Sequence, residues 1–117
     1  MTNRKVRIYH NPRCSKSRET LALLQARGIE PEVIEYLKTP LHAAEVQTLV
    51  KQLGIEAHAL LRSNEEAYKA LKLSPSSSLT EIADAIAKEP ILMERPIVVV
   101  DDRAAIGRPP EQVLALL

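Results

Sequence analysis

Residues 5–37 constrain this chain more than any other stretch, because they spell a strand, a helix and a second strand with short joints between them. In Lys5–His10 (KVRIYH), Val6 and Ile8 fall on one side and Arg7 and Tyr9 on the other, the period-two pattern of a strand. Asn11-Pro12 breaks it. From Cys14 to Arg27 the pattern turns helical: Leu21, Leu24 and the alanines supply a buried face, and Gly28 is a natural C-terminal stop. Glu32–Leu37 (EVIEYL) reads as a second strand. Two strands joined through a helix in so little chain pair in parallel, by a right-handed crossover. That makes this an α/β protein.

The middle of the chain is helical. Val46, Leu49, Val50 and Leu53 stand at i, i+3, i+4 and i+7, with Gly54 just after. Ala57–Leu61 and Glu65–Leu71 read as shorter helical pieces. Ser78-Leu79-Thr80-Glu81 has the spacing of a capping box, so a helix starts there, runs to about Lys88 and ends at Pro90. Residues 42–89 therefore form a helical block. Ile97–Val100 (IVVV) is the continuous apolar run of a buried strand. Asp101-Asp102-Arg103 is turn-like, and Ala104–Gly107 returns as an antiparallel strand. Pro109-Pro110 suits the first turn of a last helix with Val113, Leu114 and Leu117 facing inward. With 117 residues, no Trp, no Phe and three Tyr, this is one domain's length with an aliphatic core.

Charge excludes some partners. Sixteen basic and fifteen acidic residues leave a net charge of +1, which gives nucleic acid or an anionic membrane no electrostatic hold on the chain. No apolar run approaches the roughly 18 residues of a membrane span. Met1–Arg7 is basic and polar and is followed by no apolar region of the kind a secretory signal carries. A lone cysteine cannot close an internal disulfide and is most at home in a reducing compartment, the cytoplasm.

That cysteine, Cys14, falls where a strand gives way to a helix. Helix N-termini offer unpaired N–H groups and the positive end of the macrodipole, which favour a thiolate and attract anions. Lys16 and Arg18 add charge in the first turn; Ser15 and Ser17 offer hydroxyl donors to a thiolate or a bound oxyanion, and His10 stands within reach across the loop. Free cysteines are often buried core residues, but Arg13, Ser15, Lys16 and Ser17 are not a core context. A dithiol redox site needs a second cysteine at position 17, which is Ser, so a resolving thiol has to come from elsewhere, such as glutathione. A phosphatase-type loop needs arginine at position 20, which is Thr. His10, His42 and His58 have no metal-ligand spacing, and one cysteine is too few for structural zinc. Arg62, Arg95 and Arg108 stand out by context; each alone reads as a surface charge, but guanidinium groups can hold a tetrahedral oxyanion through paired hydrogen bonds.

Four segments taken in order, His10–Arg18 (HNPRCSKSR), Leu60-Leu61-Arg62, Glu94–Val99 (ERPIVV) and Gly107-Arg108-Pro109, resemble the glutaredoxin-coupled arsenate reductase family. The resemblance implies one thioredoxin-like domain over residues 1–117, a four-stranded mixed sheet flanked by helices, with a helical insertion at about 42–89. It implies a cis bond at Arg95-Pro96, Cys14 as nucleophile, Arg62, Arg95 and Arg108 as binders of the arsenic oxyanion, and His10 and Ser17 as tuners of the thiolate. It also implies arsenate as substrate, glutathione as co-substrate, glutaredoxin as partner, and no metal or organic cofactor. Two rivals share the fold: a transcription regulator that binds RNA polymerase through a Cys-x-x-Cys switch, and a monothiol reductase for another substrate. Ser17 argues against the switch.

Overall fold

The computed structural model describes residues 5–117; the N-terminal basic stretch read above begins in residues 1–4, outside the described residues. The chain divides into two compact units, residues up to Tyr36 together with Arg95–Leu117, and Leu37–Glu94.

The first unit holds strands β1 (Val6–Tyr9), β2 (Glu32–Ile34), β3 (Ile97–Val100) and β4 (Arg103–Ile106) and helix α1 (Ser15–Ala26). The sheet order is β2-β1-β3-β4, with β1 and β2 parallel and the other pairs antiparallel. The crossover from β1 through α1 to β2 is the one the alternation of the first residues called for. In register, Tyr9 lies opposite Ile34 on one side and Ile97 on the other. On one face, Ile8, Leu24, Val98, Val100, Val113 and Leu116 form the core, with Leu21 and Ile29 packed against it. Each such aliphatic side chain contributes about 1.5–3 kcal/mol on burial. Tyr9 and Ile97, which point to the opposite face, are also buried, which is why β3 reads as an unbroken apolar run.

α1 ends as its sequence requires. Gly28, at φ 76°, carries the chain into the left-handed region, its N–H donating to the Gln25 carbonyl and that of Ile29 to Leu24. This is a Schellman closure, with Ile29 folded back onto the core beside Leu24. β2 is shorter than the strand read at Glu32–Leu37. Its last ladder bond runs from the His10 N–H to the Ile34 carbonyl at 2.8 Å. Beyond it Asn11-Pro12 turns the neighbouring chain away, and the β2 ladder ends at Ile34.

The C-terminal segment differs in kind from the helix expected. Pro110–Leu116 is a 3₁₀-helix that buries Pro110, Val113 and Leu116. Three residues per turn put positions i, i+3 and i+6 on one line. Leu114 and Leu117, read as inward on an α-helical period, are therefore only partly buried.

The second unit holds α2 (Ala43–Leu53), a 3₁₀ turn at Ala57–Leu60, α3 (Glu66–Ala70), α4 (Leu79–Lys88) and a 3₁₀ turn at Pro90–Leu92. The helical stretch read at 42–89 falls inside it. α2 packs on α4, burying Val46, Leu49 and Val50 from one and Ile82, Ala83 and Ile86 from the other. The capping box at Ser78 forms: the Glu81 N–H donates to Ser78 Oγ at 3.1 Å, and the Ser78 N–H to Glu81 Oε1 at 2.8 Å. Those bonds hold the Glu81 carboxyl below its ordinary range.

Candidate functional site

Cys14 is the N-cap residue of α1, extended at φ −96° and ψ 122°, and its side chain makes no capping bond. The loop that delivers it is organised by Asn11. The Asn11 carbonyl accepts the Cys14 N–H at 3.0 Å, its Oδ1 accepts the Arg13 N–H at 3.0 Å, and its own N–H donates to Ser17 Oγ at 3.0 Å. Asparagine before proline is a turn former of this type. That signal lies in the sequence, where Asn11-Pro12 reads only as a break.

The sulfur is partly exposed. Burial pushes its pKa up, but the Ser17 N–H, the charge of Arg95, the Lys16 N–H and the Arg108 guanidinium outweigh that and hold the thiol below its ordinary value. Helix start and arginines therefore act on one atom. Lys16 itself points away, 3.5 Å from Glu19 and about half exposed. Arg18 donates to the Pro12 carbonyl at 2.9 Å, so it braces the loop.

Ser17 is fully buried, and its hydroxyl is not aimed at the sulfur as the sequence suggested. Oγ accepts the Asn11 N–H and lies 2.6 Å from His10 Nδ1; it is the backbone N–H of Ser17 that faces Cys14. His10 is likewise buried, and burial first, with the Arg18 charge, lowers its pKa against the opposing pull of Glu35. A neutral imidazole is thus held against Ser17, one helical turn from the thiol.

Arg95 and Arg108 come from strand ends remote in sequence. Arg95 precedes β3, Arg108 follows β4, and Arg108 Nη1 donates to the Arg95 carbonyl at 3.1 Å. The peptide bonds Arg95-Pro96 and Arg108-Pro109 are both cis, the second unforeseen. Of the residues singled out in the sequence, the first unit thus gathers Cys14, His10, Ser17, Arg95 and Arg108. Arg62 belongs to the second unit, where its guanidinium lies 3.0 Å from Glu65 and 3.9 Å from Glu94. It follows a short antiparallel bridge of Leu61 with Met93, flanked by hydrogen bonds from Arg62 N–H to the Leu92 carbonyl and from Glu94 N–H to that of Leu60. Of the other histidines, His42 caps α2, its N–H donating to Glu45 Oε1 at 3.0 Å, and His58 Nε2 meets Tyr68 Oη at 2.8 Å.

A mixed four-stranded sheet with a cysteine at the N-cap of the helix after its first strand defines the thioredoxin-like α/β class. Within it, the pattern of the ArsC family matches residues 9–116. An arsenate reductase of Haemophilus influenzae is 48% identical over 112 residues, covering 94% of this chain and 97% of that protein. The uncharacterised protein YfgD of Escherichia coli K12 is 54% identical over 116 residues, covering 97% and 98%. The solved structure of an arsenate reductase from Vibrio cholerae matches with a TM-score of 0.94 at 51% identity, over 99% of this chain and all 100% of that one. The chain belongs to the ArsC family.

Proposed function

We propose that this protein reduces arsenate to arsenite, with Cys14 as the nucleophile, glutathione as co-substrate and glutaredoxin as reducing partner. The observation that carries the reading is the set of groups acting on one sulfur: two backbone N–H groups of a helix start, the Arg108 guanidinium and the charge of Arg95. An anionic nucleophile attacking an anionic substrate needs such a surplus of positive field, because thiolate and oxyanion otherwise repel. The likeness to arsenate reductases supplies arsenic as the atom attacked.

The Cys14 thiolate bonds to arsenic(V), and one arsenate oxygen leaves as water with the protons of the medium. Glutathione adds its sulfur to arsenic and displaces a second oxygen as water. A further thiol attacks the glutathione sulfur, the sulfur–arsenic electron pair stays on arsenic, and a disulfide departs from arsenic(III). Water then cleaves the Cys14–arsenic bond, freeing arsenite and the thiol. Glutaredoxin serves at the disulfide step, in the reducing compartment a lone thiol suits.

Arg95 and Arg108 offset the oxyanion charge during attack. Arg62 is assigned to oxyanion binding by the family resemblance alone. His10 and Ser17 hold the loop so that the Ser17 N–H stays on the sulfur. The test is arsenite production with glutathione and glutaredoxin supplied, for wild type and Cys14→Ser. Turnover that vanishes with the cysteine supports the assignment; turnover retained by Cys14→Ser removes it.

A further inference from the structure

Gly107 is glycine for space and not for backbone conformation. Gly28 and Gly54 have φ of 76° and 65°, whereas Gly107 is not in the left-handed region. A Cβ placed on it falls 2.6 Å from Thr20 Oγ1, 2.9 Å from Pro96 Cγ and 3.2 Å from Thr20 Cγ2. Carbon pairs rest at about 3.5–4.0 Å, so no side chain fits there. The backbone at Gly107 is therefore in close approach to α1 on one side and to Pro96 on the other.

Thr20 is the α1 partner in that approach. It is fully buried and shares the inward face of the helix with Ser17 and Leu24. Its hydroxyl donates to the Lys16 carbonyl at 2.8 Å, so the hydrogen bond is made within the helix and asks nothing of Gly107. A buried position without an outside polar partner would suit valine equally, except for size. Threonine presents a γ oxygen toward Gly107 where valine presents a bulkier methyl.

What meets at this point is functional machinery. α1 carries Cys14 at its start. Gly107 precedes Arg108, its N–H donates to the Pro96 carbonyl at 2.9 Å, and Arg108 Nη1 donates to the Arg95 carbonyl at 3.1 Å. One contact thus ties the helix bearing the thiol to both strand ends bearing the arginines. We propose that Thr20 and Gly107 are a positioning pair, whose close approach sets the distance between the Cys14 sulfur and the guanidinium groups of Arg95 and Arg108. Neither touches the substrate; both act through the arginines. The inference rests on the proposed reading of Cys14 as a reacting thiol held by those arginines.

The experiment is the pH titration of Cys14 alkylation by iodoacetamide, in Thr20→Val, Thr20→Ser and Gly107→Ala beside wild type, with circular dichroism recording the fold. Thr20→Val opens no cavity and sets a bulkier methyl where the γ oxygen faces Gly107. It and Gly107→Ala push the strand ends off the helix and raise the titration midpoint by about one unit, a roughly tenfold loss of thiolate below the midpoint. Thr20→Ser keeps Oγ1 and titrates as wild type does. A folded Thr20→Val with the wild-type midpoint overturns the proposal, as does a Thr20→Ser shifted as far as Thr20→Val. Should Gly107→Ala fail to fold, the two Thr20 variants decide. Alkylation needs no arsenate, so a protein that shows these shifts but reduces none keeps the positioning pair and loses the proposed function.

Discussion

Two helices of this protein begin in opposite ways. α4 is closed at its start: Ser78 and Glu81 exchange reciprocal bonds, and an acid stands in the first turn to meet the macrodipole. α1 is left open: its N-cap side chain closes no capping hydrogen bond, and no acid stands in its first turn. The N–H groups of Lys16 and Ser17 instead favour the thiolate of Cys14 and lower its pKa. A capped start spends the positive end of the helix on stability, whereas an uncapped one keeps it for a ligand. Here the difference is deepened by Arg95 and Arg108, brought to the open end from the far end of the chain.

The largest test of the contrast removes those arginines. Hydrogen bonds to a charged group are worth about 1.5–3 kcal/mol, so Arg108→Ala should slow Cys14 alkylation at neutral pH and weaken oxyanion binding by about tenfold or more. Arg95→Ala acts in the same direction through charge alone. Thermal unfolding of both variants should move little. An equal loss of stability and of thiol reactivity would give the arginines a structural role and leave α1 no more open than α4.

Next in size is the exchange of caps. Ser78→Ala removes an N-cap and should cost about 1 kcal/mol of unfolding free energy, with Cys14 alkylation unchanged. Cys14→Ser supplies α1 with a cap, and at pH 5 it should unfold at or above the wild-type temperature, by about 0.5 kcal/mol in stability. Alkali reverses the comparison. A thiol held below its ordinary value of about 8.5 stabilises the folded state fully above that value, and the gain is lost as pH falls through the folded pKa. Wild type should therefore overtake Cys14→Ser as pH rises to 9. Parallel stability curves from pH 5 to 9 would mean that the helix start does not favour the thiolate.

Much of this contrast can be read in the residues themselves, because it is local. Ser78-x-x-Glu81 announces a closed helix, and a cysteine among Arg13, Ser15 and Lys16 after Asn11-Pro12 announces an open one. What spacing does not carry is convergence. Arg95 and Arg108 face Cys14 only because β3 lies beside β1 and β4 returns along β3, pairings settled by the whole sheet. Thr20 in the sequence excludes a phosphatase loop; its close approach to Gly107 exists only once both strand ends are in place. The last helix failed for a nearer reason. Pro109-Pro110 marks where a helix starts and leaves open whether its period is three or 3.6, which decided the burial of Leu116 over Leu114.

The smallest effect expected lies behind the open helix start, at His10. Its ring is kept neutral chiefly by burial, aided by the charge of Arg18 and opposed by Glu35. Because the folded pKa is lowered, the unfolded chain takes up the proton first. The stability this group contributes is present above about pH 6.5 and is lost as pH falls through the folded value. Protonation also fixes a hydrogen on Nδ1, 2.6 Å from Ser17 Oγ, which already accepts the Asn11 N–H. The serine hydroxyl hydrogen must then turn elsewhere in a buried site, so acid should loosen the loop that delivers Cys14 before it unfolds the protein. His10→Asn keeps a polar atom near Nδ1 but cannot titrate. Between pH 7 and 5 its unfolding free energy should fall less steeply than that of wild type, and the exchange of its Asn11 and Ser17 amide hydrogens should not quicken over that range. Equal slopes for the two proteins would show that the imidazole takes up its proton as readily in the fold as in the unfolded chain, so that burial beside Ser17 does not hold it neutral.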